Sequence, residues 1–137
     1  MSTGLSHITF MCRDPDRMGH ILRTILNAQE VYDSGAQTFS VSREKFFVVG
    51  ETWIAVMQGD ALPERSYNHV AFQIGDHEFE DRLARINAFG LDVRAPRPRI
   101  EGEGRSIYFH DEDNHLFELH TGTLENRLAC YAKEKAA

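Results

Sequence analysis

The sequence predicts an α+β fold made of two tandem βαβββ modules, and three observations support this prediction. A histidine-containing apolar segment, HITFMCRD at 7–14, recurs 62 residues later as HVAFQIGD at 69–76. Each copy is followed by apolar residues at helical spacing, and then by short strand-like runs in the same order. Because a few strands and one helix cannot close a core alone, the modules should pack as a curved, mostly antiparallel sheet.

The first module, at about 4–60, begins with the strand that carries His7. Asp14 is suited to cap the following helix, and Pro15 to occupy its first position. The apolar face of that helix comprises Met18, Ile21, Leu22, Ile25 and Leu26. The remaining predicted strands are QEVY (29–32), TFSVS (38–42), FFVV (46–49) and WIAVM (53–57).

The second module, at about 66–123, repeats this order. Asp76 is suited to cap its helix, and Gly90 to end it. The later strands are LDVR (91–94), IYFH (107–110) and LFELH (116–120), and a C-terminal helix follows at about 124–134, with Thr123 as its cap. Because nothing resembling a linker separates the modules, residues 1–137 are expected to form a single domain.

Composition and charge argue against several classes of protein. The chain has 137 residues, of which 42% are hydrophobic and 26% charged, as is typical of a globular protein. A net charge of −6 argues against binding to nucleic acid or to an anionic membrane surface. There is no apolar run of membrane-spanning length and no signal-peptide pattern. Two cysteines, Cys12 and Cys130, make no disulfide framework, so a cytoplasmic location is expected.

Two strand histidines at matched positions of the repeat predict a metal site. A single strand histidine is most often only hydrogen-bonded, but pseudo-symmetry should bring His7 and His69 to face each other. Glu118 adds a carboxylate in an otherwise apolar strand, where its charge needs a positive partner. A divalent metal bound by these three residues would supply that charge. The equivalent position of the first module, Ala55 or Val56, has no donor, which leaves coordination positions open for water or substrate.

Nearby polar residues offer alternatives. His120 shares the strand face of Glu118 and is the alternative third ligand. The DEDNH segment at 111–115 begins like a calcium loop, but a leucine and a glycine stand at its sixth and twelfth positions, so a hairpin turn is predicted. Cys12 points away from the face of His7 and is predicted to lie in the core.

Four segments resemble the fosfomycin-resistance proteins of the vicinal oxygen chelate superfamily: LSHITF, YNHVAF, GEGRSIYFHDEDNHLFELH and GTLENRL. The resemblance spans about residues 3–131, and REKFF and RPRIEGEGRS are similar to the FosX type, which hydrates the epoxide. It implies half-open barrels in a homodimer, with His7 from one subunit and His69 and Glu118 from the other. It also implies Mn(II), although the ligand set alone fits Fe(II), Co(II) or Zn(II).

The same resemblance assigns roles to further residues. Glu44 matches the general base of the hydrating type, whereas its sequence context alone predicts an exposed hairpin residue. The positions that hold the phosphonate are matched by Thr9, Ser106, Tyr108 and Arg127. Relatives that use potassium have a lysine and a serine in the loop where this chain has RPRIEGEG. This difference puts a potassium requirement in question and makes three residues candidate substitutes: Arg97, Arg99 and Arg105.

The predicted activity is metal-dependent addition of water to the epoxide of fosfomycin, a small phosphonate, with antibiotic resistance as the result. In this hypothesis Glu44 takes a proton from the attacking water, and the metal acts as a Lewis acid. Three alternatives stay open: a thiol (glutathione) S-transferase acting on fosfomycin, a ring-cleaving dioxygenase, and a metal-free drug-binding protein of the same fold.

Overall fold

The computed structural model describes residues 1–137. The chain divides into two compact units, Met1–Pro63 and Glu64–Ala137, and each unit contains one four-stranded sheet. None of the helices combines the length and apolar composition that crossing a membrane requires. The predicted α+β class and the repeated βαβββ order are both confirmed.

In the sheet of the first unit, the first and last strands of the chain segment lie side by side. Its elements are β1 (His7–Cys12), α1 (Pro15–Leu26), β2 (Gln29–Asp33), β3 (Glu44–Val49) and β4 (Thr52–Gln58). The strands lie in the order β1-β4-β3-β2, with β1 parallel to β4 and the other pairs antiparallel. This sheet is therefore mostly antiparallel, with one parallel pair. The prediction that both modules contribute to one sheet is wrong, because each unit pairs its strands only among themselves.

The strand predicted at 38–42 is wrong, because the chain forms bends there. The Thr38 hydroxyl donates a hydrogen bond to the Ser42 carbonyl oxygen at 2.7 Å, which closes a short loop. Phe39 and Val41 are 81% and 89% exposed. The alternating apolar residues that suggested a strand therefore have no sheet to pack against.

The core of the first unit lies between the sheet and α1. Cys12 is fully buried, which confirms its predicted core position. Other buried side chains of this core are Phe10, Met18, Ile21, Leu22, Ile25, Phe47, Ile54 and Val56. The Asp14 side chain accepts a hydrogen bond from the Arg17 amide at 3.1 Å, so the predicted cap of α1 is confirmed.

The second unit repeats the topology of the first. Its elements are β5 (His69–Gln73), a 3-10 turn (Asp76–Glu78), α2 (Phe79–Phe89), β6 (Asp92–Arg94), β7 (Ser106–His110), β8 (Leu116–His120) and α3 (Leu124–Ala136). The strand order is β5-β8-β7-β6, with β5 parallel to β8 and the other pairs antiparallel. In both units the histidine-bearing strand thus lies beside the last strand of its sheet.

The predicted cap of the second helix is wrong, whereas its predicted end is confirmed. A 3-10 turn precedes α2, and the Glu78 side chain caps that turn by accepting a hydrogen bond from the Gly75 amide at 3.1 Å. No side-chain hydrogen bond caps α2 itself. The Asp76 carboxylate instead accepts from Arg105 Nε at 3.1 Å. Gly90 ends α2 with a φ of 84°, a left-handed conformation that favours glycine.

Two further local predictions are confirmed. The Thr123 hydroxyl accepts a hydrogen bond from the Asn126 amide at 3.1 Å and caps α3. The DEDNH segment forms the turn between β7 and β8, where the Asp111 carboxylate accepts from the amides of Asp113 and His115 at 3.0 and 2.8 Å. The carboxylate of Asp111 thus stabilises the hairpin turn from within.

Candidate active site

A buried carboxylate, that of Glu118, lies on the central strand β8 of the second sheet. The register pairs Glu118 with Ala71 on one side and Tyr108 on the other, and only 4% of the residue is exposed. The Ser106 hydroxyl donates a 2.5 Å hydrogen bond to Glu118 Oε2, and His69 Nε2 lies 3.0 Å from Oε1. Side chains of both neighbouring strands therefore hold this carboxylate.

The contacts of His69 leave its Nε2 atom facing the carboxylate. Its Nδ1 lies 2.7 Å from the Tyr67 carbonyl oxygen; this oxygen can only accept, so Nδ1 carries a proton. In the neutral ring Nε2 then presents a lone pair to an oxygen of Glu118. Two such atoms repel each other unless a cation lies between them or the ring takes up a second proton. Imidazole and carboxylate are common metal ligands. A histidine that binds a metal through one ring nitrogen usually donates a hydrogen bond from the other, and here the Tyr67 carbonyl accepts it.

The Ser106 hydroxyl links Glu118 to Arg99 and His120. It accepts from Arg99 Nη2 at 2.6 Å and lies 2.8 Å from Nδ1 of His120. Burial lowers the pKa of His120, so the ring is neutral at pH 7, and its Nε2 can accept from Arg127 Nη2 at 3.4 Å. Ser106 donates its single hydroxyl proton to Glu118, so its oxygen accepts the hydrogen bond from the Nδ1–H of His120. Both ring nitrogens of the alternative ligand are thus engaged by other side chains.

Tyr108 lies beside this network and keeps its proton. Its hydroxyl accepts from Tyr67 OH at 3.2 Å and from Arg99 Nη2 at 3.3 Å. Burial, the hydrogen bond from Tyr67 and the charge of Glu118 together raise the pKa of Tyr108 to about 12. Near neutral pH the phenol can therefore donate a hydrogen bond to an anionic ligand.

The structure distinguishes the three loop arginines that the sequence leaves as alternatives. Arg99 contacts the Ser106 hydroxyl, whereas Arg97 forms a short ion pair with Glu103. Arg105 points elsewhere, with its guanidinium against the exposed carboxylate of Asp76. Of the three, Arg99 is thus the arginine that donates a hydrogen bond to Ser106.

Sequence reasoning missed Glu103, the least exposed charged residue of the chain. Its Oε1 accepts from Arg97, from Arg99 Nη1 at 3.2 Å and from Tyr131 OH at 2.8 Å. Its Oε2 accepts from the Ile100 amide at 3.2 Å. The hydrogen bond from Arg97 outweighs the effect of burial and lowers the pKa of Glu103 to about 2, so this carboxylate is ionised.

In the first unit, the predicted residues lie on the sheet face opposite α1. His7 and Thr9 are exposed and alternate with buried residues of β1. The ring of His7 stacks on Trp53 with a centroid distance of 4.2 Å. Glu44 is the first residue of β3 and is 9% exposed, so its predicted position in an exposed hairpin is wrong.

Strand pairing decides which residue of the first unit is equivalent to Glu118. Glu118 pairs with Ala71, two residues after the β5 histidine. The residue two positions after the β1 histidine is Thr9, and it pairs with Ala55. The position of the first module that is equivalent to Glu118 and lacks a metal donor is therefore Ala55 and not Val56.

The predicted metal ligands are divided between the two units. His7 belongs to the first unit, and His69 and Glu118 belong to the second. No group of three or more histidine, cysteine, aspartate and glutamate side chains is arranged to hold a metal ion. The structure brings His69 and Glu118 together, and the complete ligand set stays a prediction.

Known proteins resemble this chain over nearly its whole length. A family model, the glyoxalase/bleomycin resistance protein/dioxygenase superfamily, matches residues 4–119. The fosfomycin resistance protein FosX of Mesorhizobium japonicum is 59% identical, over 97% of this chain and 96% of that protein. The metallothiol transferase FosB of Staphylococcus saprophyticus is 32% identical, over 98% of this chain and 87% of that protein. Identity is thus higher to FosX than to this thiol transferase.

A solved structure shares both the fold and much of the sequence. A variant of FosX from Listeria monocytogenes, in complex with Mn(II) and 1S,2S-dihydroxypropylphosphonic acid, matches with a TM-score of 0.87 and 51% identity. The match covers 96% of this chain and 99% of that one. This likeness confirms the predicted fold of two tandem βαβββ modules.

Proposed function

The chain belongs to the glyoxalase/bleomycin resistance protein/dioxygenase superfamily, and we propose that it is a Mn(II)-dependent hydrolase that adds water to the epoxide of fosfomycin. The observation that carries this proposal is the 59% identity to a fosfomycin resistance protein FosX across nearly the full length of both chains. The ligand of the solved relative agrees with it: a dihydroxypropylphosphonic acid is the type of product that hydration of an epoxypropylphosphonate gives. The diol no longer contains the strained ring that makes the antibiotic an alkylating agent.

The proposed metal ligands are His7, His69 and Glu118. The facing Nε2 and Oε1 atoms of His69 and Glu118 suit a divalent cation, because neither atom has a proton to share when the ring is neutral. His7 is added from the family resemblance. When bound, Mn(II) would act as a Lewis acid on the epoxide oxygen.

The phosphonate is assigned to Thr9, Ser106, Tyr108 and Arg127, and the structure supports adding Arg99. The two guanidinium groups supply positive charge, and the protonated Tyr108 phenol supplies a hydrogen-bond donor. Charge-assisted hydrogen bonds to a dianion are strong and directional. Their role is to hold the substrate so that water approaches the ring carbon in line with the breaking carbon–oxygen bond.

Glu44 is proposed as the general base. As the water oxygen bonds to the ring carbon, the Glu44 carboxylate takes up one water proton and the epoxide carbon–oxygen bond breaks. The ring oxygen keeps the electron pair of that bond and takes up a proton from solvent, which completes the diol. Its position supports this role, because Glu44 lies on the sheet face that also presents His7 and Thr9. The buried environment shields the carboxylate from bulk solvent.

We also propose that the protein acts as a cytoplasmic homodimer. The division of the ligand set between two units is compatible with sites shared by two subunits. Both cysteines, Cys12 and Cys130, are free thiols, as is usual in a reducing compartment.

A product assay tests the activity. The purified protein is incubated with fosfomycin and Mn(II), with and without glutathione, and the products are identified by phosphorus NMR and mass spectrometry. Diol formed without glutathione supports the hydrolase, whereas a product that appears only with glutathione indicates a thiol S-transferase. Dioxygen uptake with a catechol would indicate a dioxygenase, and fosfomycin binding without turnover or bound metal would indicate a binding protein.

A further inference from the structure

The loop at 95–105, between β6 and β7, folds around the carboxylate of Glu103. This residue is 1% exposed, and both of its oxygens accept hydrogen bonds. The donors come from the loop itself, through Arg97, Arg99 and the Ile100 amide, and from α3, through Tyr131. One buried charge therefore joins the loop to α3.

Arg99 connects Glu103 to the proposed phosphonate site. Its Nη1 donates to Glu103 at 3.2 Å, while its Nη2 donates to the Ser106 hydroxyl at 2.6 Å and to the Tyr108 hydroxyl at 3.3 Å. The guanidinium is planar, so fixing one amino group fixes the direction of the other. The carboxylate behind Arg99 thus determines which way its donors point.

Glu103 also adjusts the charge of the site. Arg97, Arg99 and Arg127 each bring one positive charge to this region, and Arg127 Nε lies 3.9 Å from Glu103 Oε1. The ionised Glu103 offsets one of the three. The carboxylate of Glu118, 3.6 Å from Arg99 Nη2, offsets a second one. One net positive charge therefore remains among these five groups, which favours an anionic ligand.

We propose that Glu103 is a positioning residue for the phosphonate: it aims Arg99 at Ser106 and Tyr108 without itself touching the substrate. This inference rests on the proposed function, because it takes the anion to be the phosphonate of that substrate. A positioning role acts mainly on substrate binding. It therefore differs from the role of Glu44, which acts on the chemical step.

The test compares Glu103→Gln with Glu78→Gln in the Mn(II)-loaded protein. Glu78 also forms a carboxylate–arginine pair in the second unit, with Arg82, but lies outside the 95–105 loop. We expect Glu103→Gln to raise KM for fosfomycin and the Kd of methylphosphonate about tenfold or more, with kcat within about threefold and Mn(II) affinity unchanged. Glu78→Gln should leave all four quantities near wild type, even if it lowers Tm.

Unchanged methylphosphonate binding in Glu103→Gln, or a parallel loss of Mn(II) binding, would overturn the inference. If Glu103→Gln does not fold, Glu103→Asp replaces it: the shorter side chain keeps the charge but cannot reach both Arg97 and Arg99, so weaker methylphosphonate binding is still expected. A wild-type Kd for Glu103→Asp would overturn the inference as well. A wild-type protein that binds methylphosphonate but hydrates nothing would refute only the hydrolase assignment, and the Kd values of the variants would still decide the role of Glu103.

Discussion

Burial and pairing separate three glutamates that look alike in the sequence. Glu118 is buried beside Nε2 of His69, and Glu103 is buried among arginines. Glu44 is buried at the start of β3 without an ion pair. A carboxylate beside an imidazole nitrogen suits a metal ligand, whereas one held by arginines stays ionised. A carboxylate without an ion pair suits the role of a general base.

Replacing Glu44 by glutamine tests the base directly. Glu44→Gln keeps the shape of the side chain but cannot take up a proton, so the rate of fosfomycin hydration should fall by about 10²–10⁴-fold. Mn(II) affinity and the Kd of methylphosphonate should stay unchanged, as measured by titration calorimetry. The matched control is Glu51→Gln, at an exposed turn of the same unit, which should keep the wild-type rate. Near-normal turnover of Glu44→Gln would remove this residue from the mechanism.

The stability of the protein should depend on pH through Glu103. Its pKa is lowered from 4.5 to about 2 in the folded state, so its contribution is fully present above about pH 4.5 and is lost as the pH falls through about 2. Removing one partner of a buried ion pair costs about 3–5 kcal/mol, and we expect Glu103→Gln to lose an amount of this order near pH 7. Urea unfolding at several pH values measures the difference from wild type, which should shrink towards pH 2.

The control for this pH series is Glu101→Gln. Glu101 is exposed and lies two residues from Glu103 in the same loop, so its replacement should change the free energy of unfolding little at any pH. A Glu103→Gln difference that does not vary with pH would contradict the expectation. The pair also shows a limit of sequence reasoning: EGEG presents both glutamates alike, and only the folded loop decides which one is buried.

At the level of secondary-structure elements, the repeat places different chemistry on the same backbone position. Glu44 begins the third strand of the first module, and Ser106 begins the third strand of the second. Glu44 pairs with Met57, two residues after Ala55, and Ser106 pairs with His120, two residues after Glu118. The proposed base and a proposed phosphonate ligand are therefore equivalent in the fold. The repetition of the sheet explains why both lie on the same face of their modules.

Close packing of α1 on β3 depends on Gly19. A Cβ at Gly19 would lie 2.8 Å from Cζ of Phe47, and this ring is fully buried. Alanine is better than glycine in a helix by about 1 kcal/mol, but overpacking a core costs about 1–3 kcal/mol. We therefore expect Gly19→Ala to lower the free energy of unfolding, as measured by urea denaturation.

A double-mutant cycle identifies the cause of that loss. Phe47→Leu shortens the side chain that a Cβ at position 19 would strike, so adding Gly19→Ala to Phe47→Leu should cost less than adding it to wild type. Strictly additive effects would show that the Phe47 ring is not the obstacle.

For the whole molecule, the residues proposed to act together come from both compact units. His7, Thr9 and Glu44 belong to Met1–Pro63, whereas His69 and Glu118 belong to Glu64–Ala137. The family resemblance implies that a homodimer assembles each site from two subunits. This arrangement makes a prediction that a site within one chain does not make.

Mixing two inactive variants should restore activity if subunits share sites. His7→Ala and Glu118→Gln should each abolish hydration alone. In a mixed dimer one site would carry both defects and the other neither, so an equimolar mixture after subunit exchange should regain about a quarter of wild-type activity. The rate of diol formation measures this, and light scattering on the size-exclusion eluate verifies the dimer. If a verified mixed dimer is as inactive as the two variants alone, each site lies within one chain.

The sequence by itself determined the repeat, the strand carrying each histidine, the caps at Asp14 and Thr123 and the end of α2 at Gly90. These features depend on periodicity and on hydrogen bonds between residues close in the chain, so a local pattern can reveal them.

Only the tertiary structure decided that Ala55 is the donorless position, that Arg99 is the arginine beside Ser106, and that Glu103 is buried. Each of these depends on strand register or on how a loop folds onto a sheet and a helix. Contacts of this kind join residues whose spacing in the chain carries no period. The apolar alternation at 38–42 shows the reverse case, in which a local pattern lacked the neighbouring strand that it needs.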